Sequence, residues 1–522
     1  MGENTIPFLG KTGKGATMQR IGFDNEKYLA EQTAEILRRA EKNGNKLYLE
    51  FGGKLMQDLH AARILPGYDP NVKLRLLQQL KDKAEILLCI YAGDIERKKM
   101  RADFGISYES DTLRLIDGLR GLGLFVRAVV ITRYNGQKPA QQFRARLEHR
   151  GIKVYYHYAT QGYPADVDTI VSEKGYGANE FVQTERPIVV VTAPGPGSGK
   201  LATCLTQLYH EHKQGRMAGY AKFETFPVWD LPLEHPVNIA YEAATADLKD
   251  YNMVDPYHLE TYGIETINYN RDVAAFPLLR AIWEKMTNDA CPYKSPTDMG
   301  VNKIKCGIID DEVVCEASCQ EVIRRYFRHL CEYTAGQGEQ STLDRADELM
   351  QKLGLHPEDR PVVKPAREAS LLCKKQGKGH NGIFVGAALQ LRDGRVVTGK
   401  NSDDVHAAAA VVLNAVKALA GIPDSLHLLA PEIVQSIIHM KHEILKSKYS
   451  SLNLDEAMIA LAIGSPGNPS VQVAMEKMIE LRDCEMHMTH MPTPGDAAGL
   501  RRIGIRCTTD PFFASSDLFI DA

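Results

Sequence analysis

No stretch of this sequence comes near the ~18 uninterrupted apolar residues that a membrane-crossing helix needs, and the opening MGENTIPFLGKTGKG has no apolar signal core. These absences predict a cytoplasmic protein with no membrane partner. An excess of either charge is missing too. The 63 basic residues face 66 acidic ones, and a formal charge of −3 provides no field to gather nucleic acid. None of the ten cysteines forms a Cys-x-x-Cys pair, so neither a zinc frame nor a disulfide scaffold is expected, and a reducing compartment fits. Internal repeats and low-complexity tracts are also absent.

What is present is ordinary globular composition, 44% hydrophobic and 25% charged, over 522 residues. At ~100–200 residues per domain, that length predicts two or three cores. Helical spacing over 24–43 leads into a strand, KLYLEF at 46–51. Further β-rich runs follow at 85–92, 124–132, 152–158 and 187–193, separated by helical stretches near 70–84, 107–121 and 138–149. Alternation of this kind predicts a mostly parallel sheet with helices on both faces. PIVVVTA (187–193) is apolar on both faces, as a central strand should be.

Residues 310–355 read as helical, and HPEDRPVVKP (356–365), with three prolines, reads as a linker. A second α/β region follows, with strands at 383–391 and 395–399 and an alanine-rich helix at 404–420. The predicted organisation is an N-terminal α/β region over 1–300, a helical subdomain over 301–360 and a C-terminal α/β domain over 361–522.

The strongest chemical feature is VVVTAPGPGSGKLATCLTQLYHE (189–211), where an apolar strand meets a helix through a glycine-rich turn. Gly195, Gly197 and Gly199 allow torsions that turn backbone N–H groups inward upon an anion. The helix start adds partial positive charge and Lys200 a full one. Pro194 stands where the Walker pattern has its first glycine, and Leu201 replaces the hydroxyl residue that holds Mg²⁺. Ser198 and Thr203 are the nearby hydroxyls that would substitute, and Glu224, Asp230 and Asp255 are candidates to anchor Mg²⁺ or act as base. The bland alternative is a tight strand-to-helix turn with no ligand.

The stretches TERPIVVVTAPGPGSGK, AGYAKFETFPVWDLPLEHPVNIAYEAATADLKDYNMVDPYHLETYG and INYNRDVAAFP, with LYLEFGGKLMQDLHAARILPGYDP nearer the start, resemble a bacterial family defined as domain of unknown function 1846. The resemblance implies an N-terminal α/β part, a helical part and a C-terminal α/β part; it carries no reaction with it. Lys222, Glu224, Asp230, His235, Asn238, Asp247, Asp255, His258 and Glu260 crowd one segment, which points to a polar cleft, although each alone reads as a cap or a solvated side chain. Phe51-Gly52-Gly53-Lys54, at a strand end, reads as a plain turn more readily than as a ligand site.

Residues 381–423 are similar to the opening of cytidine-deaminase-like proteins: strand, turn, strand, then a helix beginning near a histidine. Zinc deaminases need a glutamate two residues past the ligand histidine, whereas Ala407 and Ala408 follow His406 here. A deaminase-like scaffold without that chemistry is expected. Cys484, His487 and His490 would not share one face of a strand, Cys315 and Cys319 read as buried apolar side chains, and Arg97-Lys98-Lys99-Met100-Arg101 reads as a solvated helix face.

The sequence therefore predicts an enzyme that uses ATP or another nucleotide, with Mg²⁺ as companion ion. It would be a phosphotransferase or ligase with a small phosphorylated molecule as partner. The alternative is a non-catalytic regulatory protein that binds a nucleotide or phosphometabolite. A homo-oligomer is expected of a large α/β protein.

Overall fold

The computed structural model describes residues 20–101 and 105–515. The segment MGENTIPFLGKTGKG lies outside them. The described chain separates into two compact units, one spanning Ile21–Glu321 and the other running from Val322 to the end of the described residues. The boundary falls inside a single helix, Asp311–Thr334.

The first unit is built on a six-stranded sheet. Its strands are β1 (Leu47–Phe51), β2 (Ala84–Tyr91), β3 (Val126–Thr132), β4 (Lys153–Tyr156), β5 (Ile188–Thr192) and β6 (Gly219–Phe223). They lie in the order β4-β3-β2-β5-β1-β6, and every neighbouring pair is parallel. All five residues of β5 and of β1 are buried, which is why β5 shows no polar alternation: helices cover both of its faces. Helices expected from periodicity form at Asn25–Lys42, Val72–Gln79, Tyr108–Gly121, Lys138–Glu148 and Lys200–Lys213.

Strand order creates a crevice. The connection leaving β1 crosses over β5 to reach β2, whereas the connection leaving β5 crosses over β1 to reach β6. Adjacent strands whose connections depart in opposite directions leave an opening at their carboxyl ends, the customary ligand position in open α/β sheets.

The second unit carries a mixed four-stranded sheet in the order β8-β7-β9-β10, made of β7 (Gly386–Gln390), β8 (Val396–Lys400), β9 (Glu485–Met488) and β10 (Arg506–Thr509). β7 pairs antiparallel with β8 and with β9, and β9 pairs parallel with β10. The helix Ala407–Ala420 packs its alanines and valines onto this sheet, where small side chains allow close approach.

Two expectations change. HPEDRPVVKP is not a linker: Pro357 opens a 3₁₀ turn, Pro357–Asp359, and Pro365 sits in the first turn of the helix Val363–Lys375, where a missing N–H costs nothing. Arg360, between them, is 1% exposed and donates to Glu485 at 2.7 Å and to Thr508 at 3.0 Å. Nor is 97–101 a solvated helix face, since that helix ends at Glu96 and Arg101 is buried against Asp111.

Candidate functional site

The turn at 193–200 follows β5 directly and opens at the crevice between β5 and β1. Gly197 and Gly199 take φ of +70° and +84°, the left-handed region that glycine alone enters cheaply. Ser198 is fully buried and donates its hydroxyl to the Gly195 carbonyl at 2.9 Å, while Thr132 donates to the Ser198 carbonyl at 2.7 Å. The carbonyls are thereby drawn down into the protein. Among the described residues, the amides of 197–202 donate to no protein acceptor; the first intrahelical bond is Thr203 N–H to Gly199 at 3.0 Å. Such a row of unspent donors at a helix start attracts an anion.

Lys200 points to β1. Its Nζ lies 4.0 Å from Glu50 Oε1, at the limit of an ion pair, and its side chain is 12% exposed. Glu50 also accepts from the Tyr220 hydroxyl at 2.8 Å. At the end of β6, Lys222 pairs with Asp272 and lies 3.1 Å from Glu224. Burial raises the Glu224 pKa to about 7 against the pull of Lys222, and Asp272 and Glu50 push it further the same way. The result is an acid poised to exchange a proton near neutrality. Arg133 lies 3.6 Å over the Tyr91 ring and donates to the Gly197 carbonyl, bracing the crest of the turn.

The other expected residues have different work. Thr203 is buried, donates to Gly199 at 3.0 Å and accepts from Cys89 at 3.4 Å, so with Ser198 it shapes the turn rather than offering a metal ligand. Asp255 is fully buried as an N-cap, accepting from Tyr257 and His258 N–H and from the N–H and hydroxyl of Thr297. These four bonds tie it to its own helix start and to Thr297. Asp230 is half-buried with Lys305 and Lys303 as its charged neighbours, and burial raises its pKa. No bond joins it to the turn. Asn238 holds the backbone of Val228, and His258 bonds Ser295 at 2.9 Å. The crowd of polar residues after the turn thus resolves mostly into caps and braces. The sequence does not single out Glu50, Asp272 and Tyr220; the available signal is Glu50, a lone acid in an apolar strand directly before Phe51-Gly52-Gly53.

His235, Asp311 and Cys315 bring ligand-type atoms within 4.8 Å of one another. Cys315 is therefore not the simple packing residue that its helical spacing indicates. Val237 N–H donates to His235 Nδ1 at 3.2 Å, so the ring proton sits on Nε2, which faces Asp311 at 3.1 Å. Burial and Asp311 push the Cys315 thiol up to about 12. Both the Nε2 proton and the thiol proton would have to leave before the three could hold a cation. Cys484, His487 and His490 likewise bond separately, to Glu480, Thr508 and Thr489.

Two family models divide the chain almost end to end: domain of unknown function DUF1846, N-terminal, matches residues 21–354, and its C-terminal counterpart matches 358–519. The chain belongs to the DUF1846 family. A UPF0371 protein of Clostridium tetani is 57% identical over 96% of this chain and 99% of its own length. UPF0371 proteins of Clostridioides difficile and Clostridium botulinum are 54% and 55% identical over the same shares. No helix in the described part of this DUF1846 chain is long and apolar enough to cross a membrane.

Proposed function

We propose that the chain is a nucleotide-dependent enzyme, an ATP-using phosphotransferase or ligase for a small molecule, with the phosphates gathered on the turn at 193–200. The observation that carries the reading is the row of unpartnered amides at 197–202, set at the sheet's crevice with Lys200 beside it. An arriving phosphate would draw Lys200 from its 4.0 Å partner Glu50, because a tighter, charge-assisted contact replaces a loose one. Glu50, freed, is the carboxylate that would hold Mg²⁺. With a pKa of about 7, Glu224 is the residue suited to take a proton from an acceptor hydroxyl.

A regulatory protein that binds a phosphometabolite without turnover is the second reading. Leu201 in place of a metal-holding hydroxyl, and the pairing of Lys200 with Glu50, favour it. In both readings the C-terminal unit is a deaminase-like scaffold without zinc chemistry. Support comes from the β7–β8 hairpin followed by a helix that starts after His406, with Ala408 where a glutamate would be required.

Thermal unfolding of the native chain and of Lys200→Ala with ATP, ADP, GTP and inorganic phosphate tests the proposal. A ligand at ~100 times its dissociation constant should stabilise the native chain by about 2.7 kcal/mol, and the variant should lose most of that gain. If none of the four raises the native melting temperature, both readings fail. Stabilisation by nucleotide without consumption of ATP across a panel of acceptors selects the regulatory one.

A further inference from the structure

The second unit holds a partly open cavity of about 330 Å³ whose lining shares no residue with the turn at 193–200. That volume is at the small end of the ~300–1,000 Å³ range of ligand pockets. Three helices begin on its wall, after His406, Asn453 and Thr493. Two of the three starts are satisfied from within the protein. Asn453 accepts from Glu456 N–H at 3.0 Å and Asp496 from Leu454 N–H at 2.9 Å, and Thr493 caps its own helix. The third start is not. Ala407, Ala408 and Ala409 are at most 2% exposed, and among the described residues their amides donate to no acceptor. Buried amides without partners are rare and costly, which points to an acceptor supplied from outside.

His406 does not cap its own helix, because its ring is turned to Asp496. Asp496, 2% exposed, accepts from His406 Nδ1 at 2.7 Å and from the Thr493 hydroxyl at 2.8 Å. An acceptor at Nδ1 fixes the ring proton there and leaves the Nε2 lone pair unspent, the arrangement of an oriented proton acceptor. No described residue bonds Nε2. The other charges on the wall are already paired: Lys441 donates to Glu456 at 2.8 Å, and Glu456 also accepts from Asn453 N–H at 2.9 Å. His380, at the rim, pairs with Asp403.

We infer that this cavity is a second small-molecule site, taking a compact metabolite that bears a carboxylate or phosphate together with an exchangeable proton. An anionic oxygen would rest on the amide of Ala407, which lines the cavity at that helix start, and the neighbouring hydroxyl or acid proton would pass to His406 Nε2, leaving its electron pair on the ligand oxygen. Asp496 is a positioning residue, holding the ring in that tautomer. The reading stands independently of the one for the turn at 193–200.

The test titrates the full chain with acetate and with inorganic phosphate. Affinity is read by calorimetry, and the site by the ¹⁵N signals of the His406 imidazole. Ala407→Pro deletes one amide at the first helical position, where proline is tolerated, and the preceding residue already has the extended φ of −69° and ψ of 158° that proline favours. With the turn at 193–200 disabled by Lys200→Ala in every sample, at least one probe should move the Nε2 resonance and should bind at least tenfold more weakly once Ala407→Pro or His406→Gln is added. Which probe binds distinguishes carboxylate from phosphate recognition. The inference is overturned if neither probe moves the imidazole signals, or if binding survives both substitutions in the second unit. Should Ala407→Pro not fold, His406→Gln decides by the same criterion.

Discussion

Gly52 and Glu224 touch in a way that no other residue at 52 would permit. A Cβ built on Gly52 would lie 2.2 Å from Glu224 Cγ and 2.4 Å from its Oε1. The Gly52 N–H also donates to the Phe223 carbonyl at 2.8 Å, so β1 and β6 remain joined up to the point where the carboxylate crosses. The missing side chain is what lets the acid just past β6 reach over the end of β1, next to Glu50. Replacing Gly52 by Ala should therefore destabilise the chain by about 1–3 kcal/mol, the usual cost of forcing atoms into a filled space. It should also displace Glu224. Denaturant unfolding checks the first outcome, and loss of the nucleotide-dependent melting shift checks the second.

Glu224 should leave a signature in the pH dependence of stability. Its folded pKa is raised to about 7 by burial, against ~4.3 for an unperturbed glutamate. The folded chain therefore binds this proton more tightly than the unfolded one, and the contribution is full below ~4.3. Stability from this group is lost as the pH climbs through the interval from there to about 7. Melting curves of native chain and Glu224→Gln between pH 4 and 8 should converge at the acid end of that window and separate at the other, with the glutamine variant the more stable above neutrality. Parallel curves throughout would disprove the assignment.

Gly199 makes the bend of the turn at 193–200. It combines a φ of +84° with a Cβ position 2.9 Å from Thr132. The torsion alone costs other residues ~1–2 kcal/mol. Gly199→Ala should lower the melting temperature and abolish ligand stabilisation. Gly197→Ala, which meets no atom within 4 Å, should bear the torsional cost alone and keep part of the binding.

In the second unit, Arg360 is held at 1% exposure against Glu485. Burial alone would raise the Glu485 pKa, but Arg324, Arg360 and Arg506 together hold it down to about 2. Breaking a buried pair by removing one partner usually costs ~3–5 kcal/mol, because the other charge is stranded. Arg324 and Arg506 remain beside Glu485 at 2.8 and 3.5 Å, so Arg360→Ala should fall at the lower end of that range in urea unfolding. Arg360→Ala combined with Glu485→Gln should recover part of the loss.

Strands and helices of the first unit are legible in the sequence because their signals are local. β5 is a run of β-branched residues, and Lys200–Lys213 has helical spacing behind three glycines. Sheet order is not local, and the site depends on it. Lys200 meets Glu50 only because β5 inserts beside β1, and Asp272 reaches Lys222 from 50 residues further along the chain. Asp255 reads as a candidate base because a cap and a catalytic acid look alike until their hydrogen-bond partners are known. In the second unit, a zinc signature directs attention to the two alanines after His406. The actual partner of that histidine, Asp496, lies 90 residues away on another helix.

The embedding of the 356–365 segment has a practical side. Prolines invite the experimenter to cut there, yet Arg360 and Val362 from this stretch are interior parts of the second unit. A fragment beginning at residue 366 would expose Glu485 and Thr508 to water where a guanidinium once lay. Severing the chain for separate expression therefore has to be done upstream of Pro357, and proteases offered the intact protein should leave this proline-rich stretch uncut.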